Sequence, residues 1–162
     1  MPPKLLFDPS QIDIESIALS KEDILEINPQ RHEFEQLDWI CHFDPDPDAQ
    51  VIVGVKELRE DDFWVRGHMP ERPIFPGVLM LESAAQLCSV YSTKVVGVET
   101  IFGFGGADQV RFRRTLDVGE RFVTIARPET ITPRRSKYQT QGLVDGKLVF
   151  EATILGIALP SA

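Results

Sequence analysis

From Pro73 to Thr93 the chain carries one charged residue, Glu82, set in VLMLESAAQL. A lone carboxylate in an apolar run has two readings: the solvent face of an amphipathic helix, or a buried acid. The polar positions on its face, Gln86, Ser89 and Thr93, recur at helical spacing but are uncharged. A solvent face ordinarily carries several Lys, Arg or Glu. Burial favours the neutral carboxyl, the form that a general acid requires. Gln86, four residues on, can hydrogen-bond it and fix its rotamer.

His68 lies in RGHMPERP. Gly67 before it permits unusual backbone angles, and Pro70 after it stiffens the segment. One reading is an ordinary loop histidine. The other is a general base, since imidazole exchanges a proton near neutral pH. Gly77 follows Pro76 at the start of a helical pattern. That is either a plain helix start or a place where free N–H groups polarise a carbonyl oxygen. Base, acid and backbone donor together suit proton abstraction next to a carbonyl, with departure of a β-substituent. Nucleophilic catalysis has no support: Ser83, Cys88 and Ser89 lie in the helical run with no G-x-S-x-G elbow. His32, His42 and His68 share no zinc-ligand spacing. GFGG at 103–106 is followed by no helix, so it is no dinucleotide loop. RFRR at 111–114 is the one concentrated basic patch, either a solvated strand face or a dock for an acidic partner.

These groups must be positioned by a small scaffold. The 162 residues, 43% apolar and 26% charged, suit a single globular core. A net charge of -8 argues against general nucleic-acid binding. Two cysteines, Cys41 and Cys88, make no disulfide framework, so reduced thiols in a cytosol are expected. The N-terminal run is too short and too soon acidic for a signal peptide.

The pattern predicts a loose arm over residues 1–19 and one domain over 20–160. Within that domain Ser20 starts a short helix that Pro29 ends. Strands are expected over 34–43, 50–58, 100–104, 109–116, 121–127, 136–144 and 147–159. Turns are expected at Pro128 and at Asp145-Gly146, the latter a strong hairpin signal. Residues 61–76, with Pro70, Pro73 and Pro76, predict a stiff extended segment. Residues 77–96 predict a helix apolar nearly all round and therefore buried, but too interrupted by Glu82, Gln86 and Lys94 to span a membrane. Short connections force antiparallel neighbours. The fold class is α+β: a curled antiparallel sheet of roughly six strands wrapped around one long helix.

The run FWVRGHMPERPIFPGVLMLESAAQ at 63–86 resembles the signature of the FabZ-type 3-hydroxyacyl-acyl carrier protein dehydratases of the hotdog fold. The similarity extends from about Lys21 to Leu159. It takes in Ile24-Leu25 with Pro29-Gln30-Arg31, ADQVRFRR at 107–114 and LVDGKLVFEAT at 143–153. Departures stand at Gln30, Met69, Glu71, the polar stretch HEFEQL at 32–37, and 115–119, which lacks the prolines often found there.

The resemblance implies a carbon–oxygen hydro-lyase of fatty acid biosynthesis, needing no metal or organic cofactor. It implies His68 as base and Glu82 as acid, supplied by different subunits of a homodimer, with a trimer of dimers as the larger assembly. Gly77 is similar to the residue whose N–H meets the thioester carbonyl, and Gln86 to the one that orients the acid. Ile74, Phe75 and Val78 match the neighbourhood of the acyl tunnel. The expected partner is an acyl carrier protein, docking at Arg111, Arg113 and Arg114. Glu rather than Asp at 82 resembles the simple dehydratases more than the dehydratase–isomerase branch. Two other readings stay open on the same fold: an acyl thioesterase, and a catalytically silent carrier-binding subunit.

Overall fold

A computed structural model describes residues 3–97 and 99–160; the first two residues of the N-terminal arm lie outside them. Helix α1 spans Lys21–Ile27, and α2 spans Gly77–Val96. The strands are β1 (Trp39–Asp44), β2 (Val51–Glu57), β3 (Ile101–Phe112), β4 (Arg121–Ile131), β5 (Arg135–Val144) and β6 (Lys147–Leu159). They form one antiparallel sheet in the order β1-β2-β4-β5-β6-β3. Among the described residues no helix is long and apolar enough to cross a membrane.

α1 starts where its sequence says. The Ser20 hydroxyl accepts from Asp23 N–H, and the Asp23 carboxylate accepts from Ser20 N–H, a reciprocal cap of two otherwise orphan donors. α2 runs from Pro76, which fixes an extended entry, to Gly97, whose φ of 125° ends it. Its middle, from Ser83 to Thr93, is buried at every position but Ala85, because β2 to β6 all pack against it. The sheet curls to achieve this. The main core joins Met80, Leu87 and Tyr91 of the helix to Ile52, Phe122, Tyr138 and Phe150 of the sheet.

Strand β2 is buried from Val51 to Lys56. Side chains of a strand alternate between faces, so continuous burial needs both faces covered. Ile52 faces α2, whereas Val51, Val53 and Val55 join Val123, Ile125 and Leu143 on the outer face. The N-terminal arm covers that face with Leu5, Phe7, Ile12 and Ile14. It is not loose. Gln141, from mid-β5, accepts from Leu6 N–H at 2.8 Å and donates to Lys4 O at 3.0 Å. Trp39 Nε1 donates to Ile14 O at 2.8 Å, and Arg121 pairs with Glu15.

Four other expectations need correction. Residues 32–34 form a single 3-10 turn, and the first strand begins only at Trp39. Residues 61–76 are not extended but fold into successive turns, in which Trp64 O accepts from both Gly67 N–H and His68 N–H. The two strands expected over 100–116 are one strand, β3, whose register with β6 shifts between Phe104 and Gly106 and between Asp108 and Arg111. The extra residues are absorbed as bulges rather than as a turn. Pro128 lies inside β4, just before the register shift between Pro128 and Thr130, where a missing N–H does least harm. The Asp145-Gly146 hairpin forms as expected, with both residues at positive φ, 50° and 72°.

Candidate active site

His68 is held from three directions. Its N–H donates to Trp64 O at 2.8 Å. Its carbonyl accepts from Ile74 N–H at 2.8 Å. Its ring Nδ1 lies 2.8 Å from Ile74 O. A carbonyl oxygen only accepts, so Nδ1 carries the proton and donates. When the ring is neutral, this tautomer leaves the lone pair on Nε2. Ile74 is itself fixed, because it bridges to Asp117 and its neighbour Phe75 donates to Leu116 O at 2.8 Å.

Gly77 opens α2, and Pro76 offers no side-chain cap. The Gly77 N–H has no partner among the described residues, as a first-turn donor with the helix dipole behind it. Phe112, at the end of β3, lies over its Cα. A Cβ on residue 77 would sit 2.9 Å from the Phe112 ring, so only glycine admits this approach. The ring stacks in turn on Phe150, with centroids 5.7 Å apart. Sequence reading missed Phe112. Its one signal was an aromatic residue amid the arginines of RFRR.

Glu82 is half-buried on the flank of α2. Its Oε1 accepts from Gln86 Nε2 at 2.8 Å. The pair borders a cavity of about 110 Å³, walled by Gln30, Ala85 and Ser89 on one side and by Phe102, Phe104, Ile154 and Leu159 on the other. Cys88 also lines it, and burial pushes that thiol well up from its ordinary value. It is therefore a neutral wall rather than a nucleophile.

Within one chain His68 does not line the cavity of Glu82, and neither do Ile74, Phe75, Gly77 and Val78. Phe75 is a core residue, packed edge-on to Trp64 at 5.5 Å and tilted against Phe122 at 5.9 Å. Val78 points outward, 70% exposed, and Met69 and Phe112 are half-exposed. The cavity of Glu82 is bordered by the outer edge strand β3, which leaves Ile101 and Phe104 exposed.

Two arginines of RFRR are already occupied. Arg113 donates to Glu151 at 2.5 Å, and Arg114 donates to Glu120 through two N–H groups at 3.0 and 2.7 Å. Arg111 has no ion pair among the described residues. A much larger hollow, about 810 Å³, lies between the arm and the outer sheet face. Among the described residues its lining includes no histidine, and Glu57, Arg59, Glu120 and Arg121 on its rim are bound to one another or to Asp38, Arg114 and Glu15. Among the described residues no group of three or more His, Cys, Asp or Glu could hold a metal ion.

A family model described as the FabA-like domain matches residues 28–153. The 3-hydroxyacyl-[acyl-carrier-protein] dehydratase FabZ of Tolumonas auensis is 32% identical over 142 residues, covering 85% of this chain and 93% of that protein. The protein of the same name in Cronobacter sakazakii is 33% identical over 144 residues, covering 87% and 93%. Among solved structures, the dehydratase heterocomplex ApeI:P from Xenorhabdus doucetiae has a TM-score of 0.69 at 11% identity, covering 85% of this chain and 91% of that one. The smu.793 protein of Streptococcus mutans, bound to acetyl CoA, has a TM-score of 0.60 at 11% identity, covering 82% and 94%. These structural likenesses establish the hotdog fold, and the sequence matches extend the resemblance of 63–86 over most of the chain.

Proposed function

We propose, since this chain belongs to the FabA-like domain family and its FabZ dehydratase branch, that it removes water from a (3R)-3-hydroxyacyl thioester on acyl carrier protein. The product is the trans-2-enoyl thioester. His68 Nε2 takes the C2 proton. The C3–O bond breaks, the C2=C3 bond forms, and protonated Glu82 gives its proton to the departing hydroxyl, which leaves as water. The Gly77 N–H donates to the thioester oxygen as negative charge collects there. Holding these groups around one substrate replaces encounters in solution.

The observation that carries this reading is the His68 ring anchored by Nδ1 to Ile74 O. It leaves Nε2 as the only ring nitrogen able to accept a proton. Two further observations support a site shared between subunits. A cavity of about 110 Å³ is too small for an acyl chain, since ligand pockets run to roughly 300–1,000 Å³. The β3 edge beside it has no strand partner among the described residues and exposes Ile101 and Phe104, an edge that invites a second strand. A second copy pairing there enlarges the cavity and brings its own His68 to Glu82. Of the basic stretch, Arg111 is the arginine free to meet an acidic carrier, with Arg113 and Arg114 as neighbours that must exchange partners.

Purified protein, given 3-hydroxyacyl carrier thioesters of several chain lengths, is expected to form enoyl thioester without releasing free thiol. His68→Ala and Glu82→Gln each lower turnover about 10²–10⁴-fold, the usual weight of one general acid or base, and keep their fold. Thiol release would make the protein a thioesterase. Binding without turnover at every chain length would make it a silent carrier-binding subunit.

A further inference from the structure

The stretch 32–37, which departs from the family pattern, lies against the residue that orients Glu82. Gln86 is 3% exposed, and each atom of its amide is engaged. Its Oε1 accepts from the main-chain N–H of Gln36 at 3.0 Å. Its Nε2 donates to the main-chain oxygen of Phe34 at 2.5 Å and to Glu82 Oε1 at 2.8 Å. An amide has two faces that differ only in which atom donates. Turned over, Gln86 would set its oxygen against two acceptors and its NH₂ against a donor. Neither Phe34 O nor Gln36 N–H can change role, so together they settle which end of the amide meets Glu82.

The stretch is in turn tied down. The Glu35 carboxylate accepts from His32 N–H at 3.0 Å and pairs with Lys21 Nζ at 3.0 Å. Lys21 Nζ also donates to Leu37 O at 2.7 Å. Asn28 Nδ2 donates to the Gln86 carbonyl at 3.0 Å.

We propose that the main chain of Phe34–Gln36 is a clamp on the Gln86 amide that holds its N–H on Glu82, which makes Gln36 a positioning residue for the dehydration step. This rests on the reading of Glu82 as the acid. The substrate never touches the clamp, so its loss lowers kcat through a misdirected carboxyl and leaves KM unchanged.

The test compares Gln36→Pro with Gln36→Ala. Both lose the side chain, but only proline deletes the N–H. Glu35 already has φ -73° and ψ 108°, a conformation that suits the residue before proline. The kcat of Gln36→Pro is expected about tenfold below that of Gln36→Ala, as for one misplaced hydrogen bond to the acid, with KM equal in the two. Equal kcat in the two variants overturns the clamp. An independent readout needs no substitution. In the unsubstituted protein, the two side-chain amide protons of Gln86 should exchange only slowly with solvent in NMR spectra. A rapidly exchanging pair overturns the proposal even if Gln36→Pro does not fold. Glu82→Gln with undiminished turnover would remove the acid assignment instead, and would leave the amide signals as expected.

Discussion

His68 and Ile74 bind each other twice, ring nitrogen to carbonyl and carbonyl to N–H, both at 2.8 Å. Residues 68–74 thus close into a loop whose one unspent polar atom on the ring is Nε2. The proline at 73 puts residue 74 in place, and the ring tautomer follows from a main-chain oxygen rather than from a carboxylate.

If each site draws His68 and Glu82 from different subunits, two inactive variants complement each other. His68→Ala and Glu82→Gln, mixed after dissociation and allowed to reassociate, form hybrid dimers that hold one intact site. Random pairing gives about a quarter of the wild-type sites. Activity of the mixture is the measurement, and no recovery would mean that each chain supplies both groups. Phe104→Glu, at the β3 edge, should prevent recovery and shift the protein towards monomer in light scattering.

Gly77→Ala puts a Cβ into the Phe112 ring, 2.9 Å away. The ring is half-exposed, so it can swing out, and the stability cost should be small, about 1 kcal/mol. The cost to turnover should be larger, because the ring borders the unpaired N–H. Adding Phe112→Ala removes the obstruction. A double-mutant cycle should then show coupling between the two sites; additive losses in kcat would separate Phe112 from the site.

Gly142→Ala tests the core beneath that ring. Its Cβ would lie 2.3 Å from the Phe122 ring and 3.1 Å from Phe150 Cβ. Both phenylalanines are fully buried and have nowhere to go. Overpacking of this kind costs roughly 1–3 kcal/mol or more, so Tm should fall by several degrees. An unchanged Tm would show that the sheet spreads freely at β5.

The Arg114–Glu120 pair predicts an acid-side dependence of stability. Hydrogen bonding from Arg114 holds the Glu120 carboxyl below its ordinary value of 4.5, against the opposing effect of burial and with help from Asp117 N–H. Because the folded value is the lower one, the carboxylate contributes fully above pH 4.5. That contribution is lost as the pH falls through the folded value. Glu120→Gln removes it, so the Tm of the variant should fall less steeply with acidification than that of wild type. Parallel curves would mean that the pair adds nothing to folding.

The sequence by itself determined the features whose partners are chain neighbours. Pro76 and Gly97 bound α2, Ser20 and Asp23 cap α1, Asp145-Gly146 turns the hairpin, and Gln86 reaches Glu82 one helical turn away. In each case a fixed φ, or an i,i+3 or i,i+4 spacing, carries the information. Tertiary structure decided what depends on distant segments. The amide of Gln86 is oriented from 50 and 52 residues away, and Gln141 pins an arm 135 residues upstream. Glu151 and Glu120 take up two of the arginines that looked free, and β4 absorbs Pro128 at a bulge. None of these has a local signature, because hydrogen bonds and ion pairs between remote residues exist only once the sheet has curled around the helix and set them within reach.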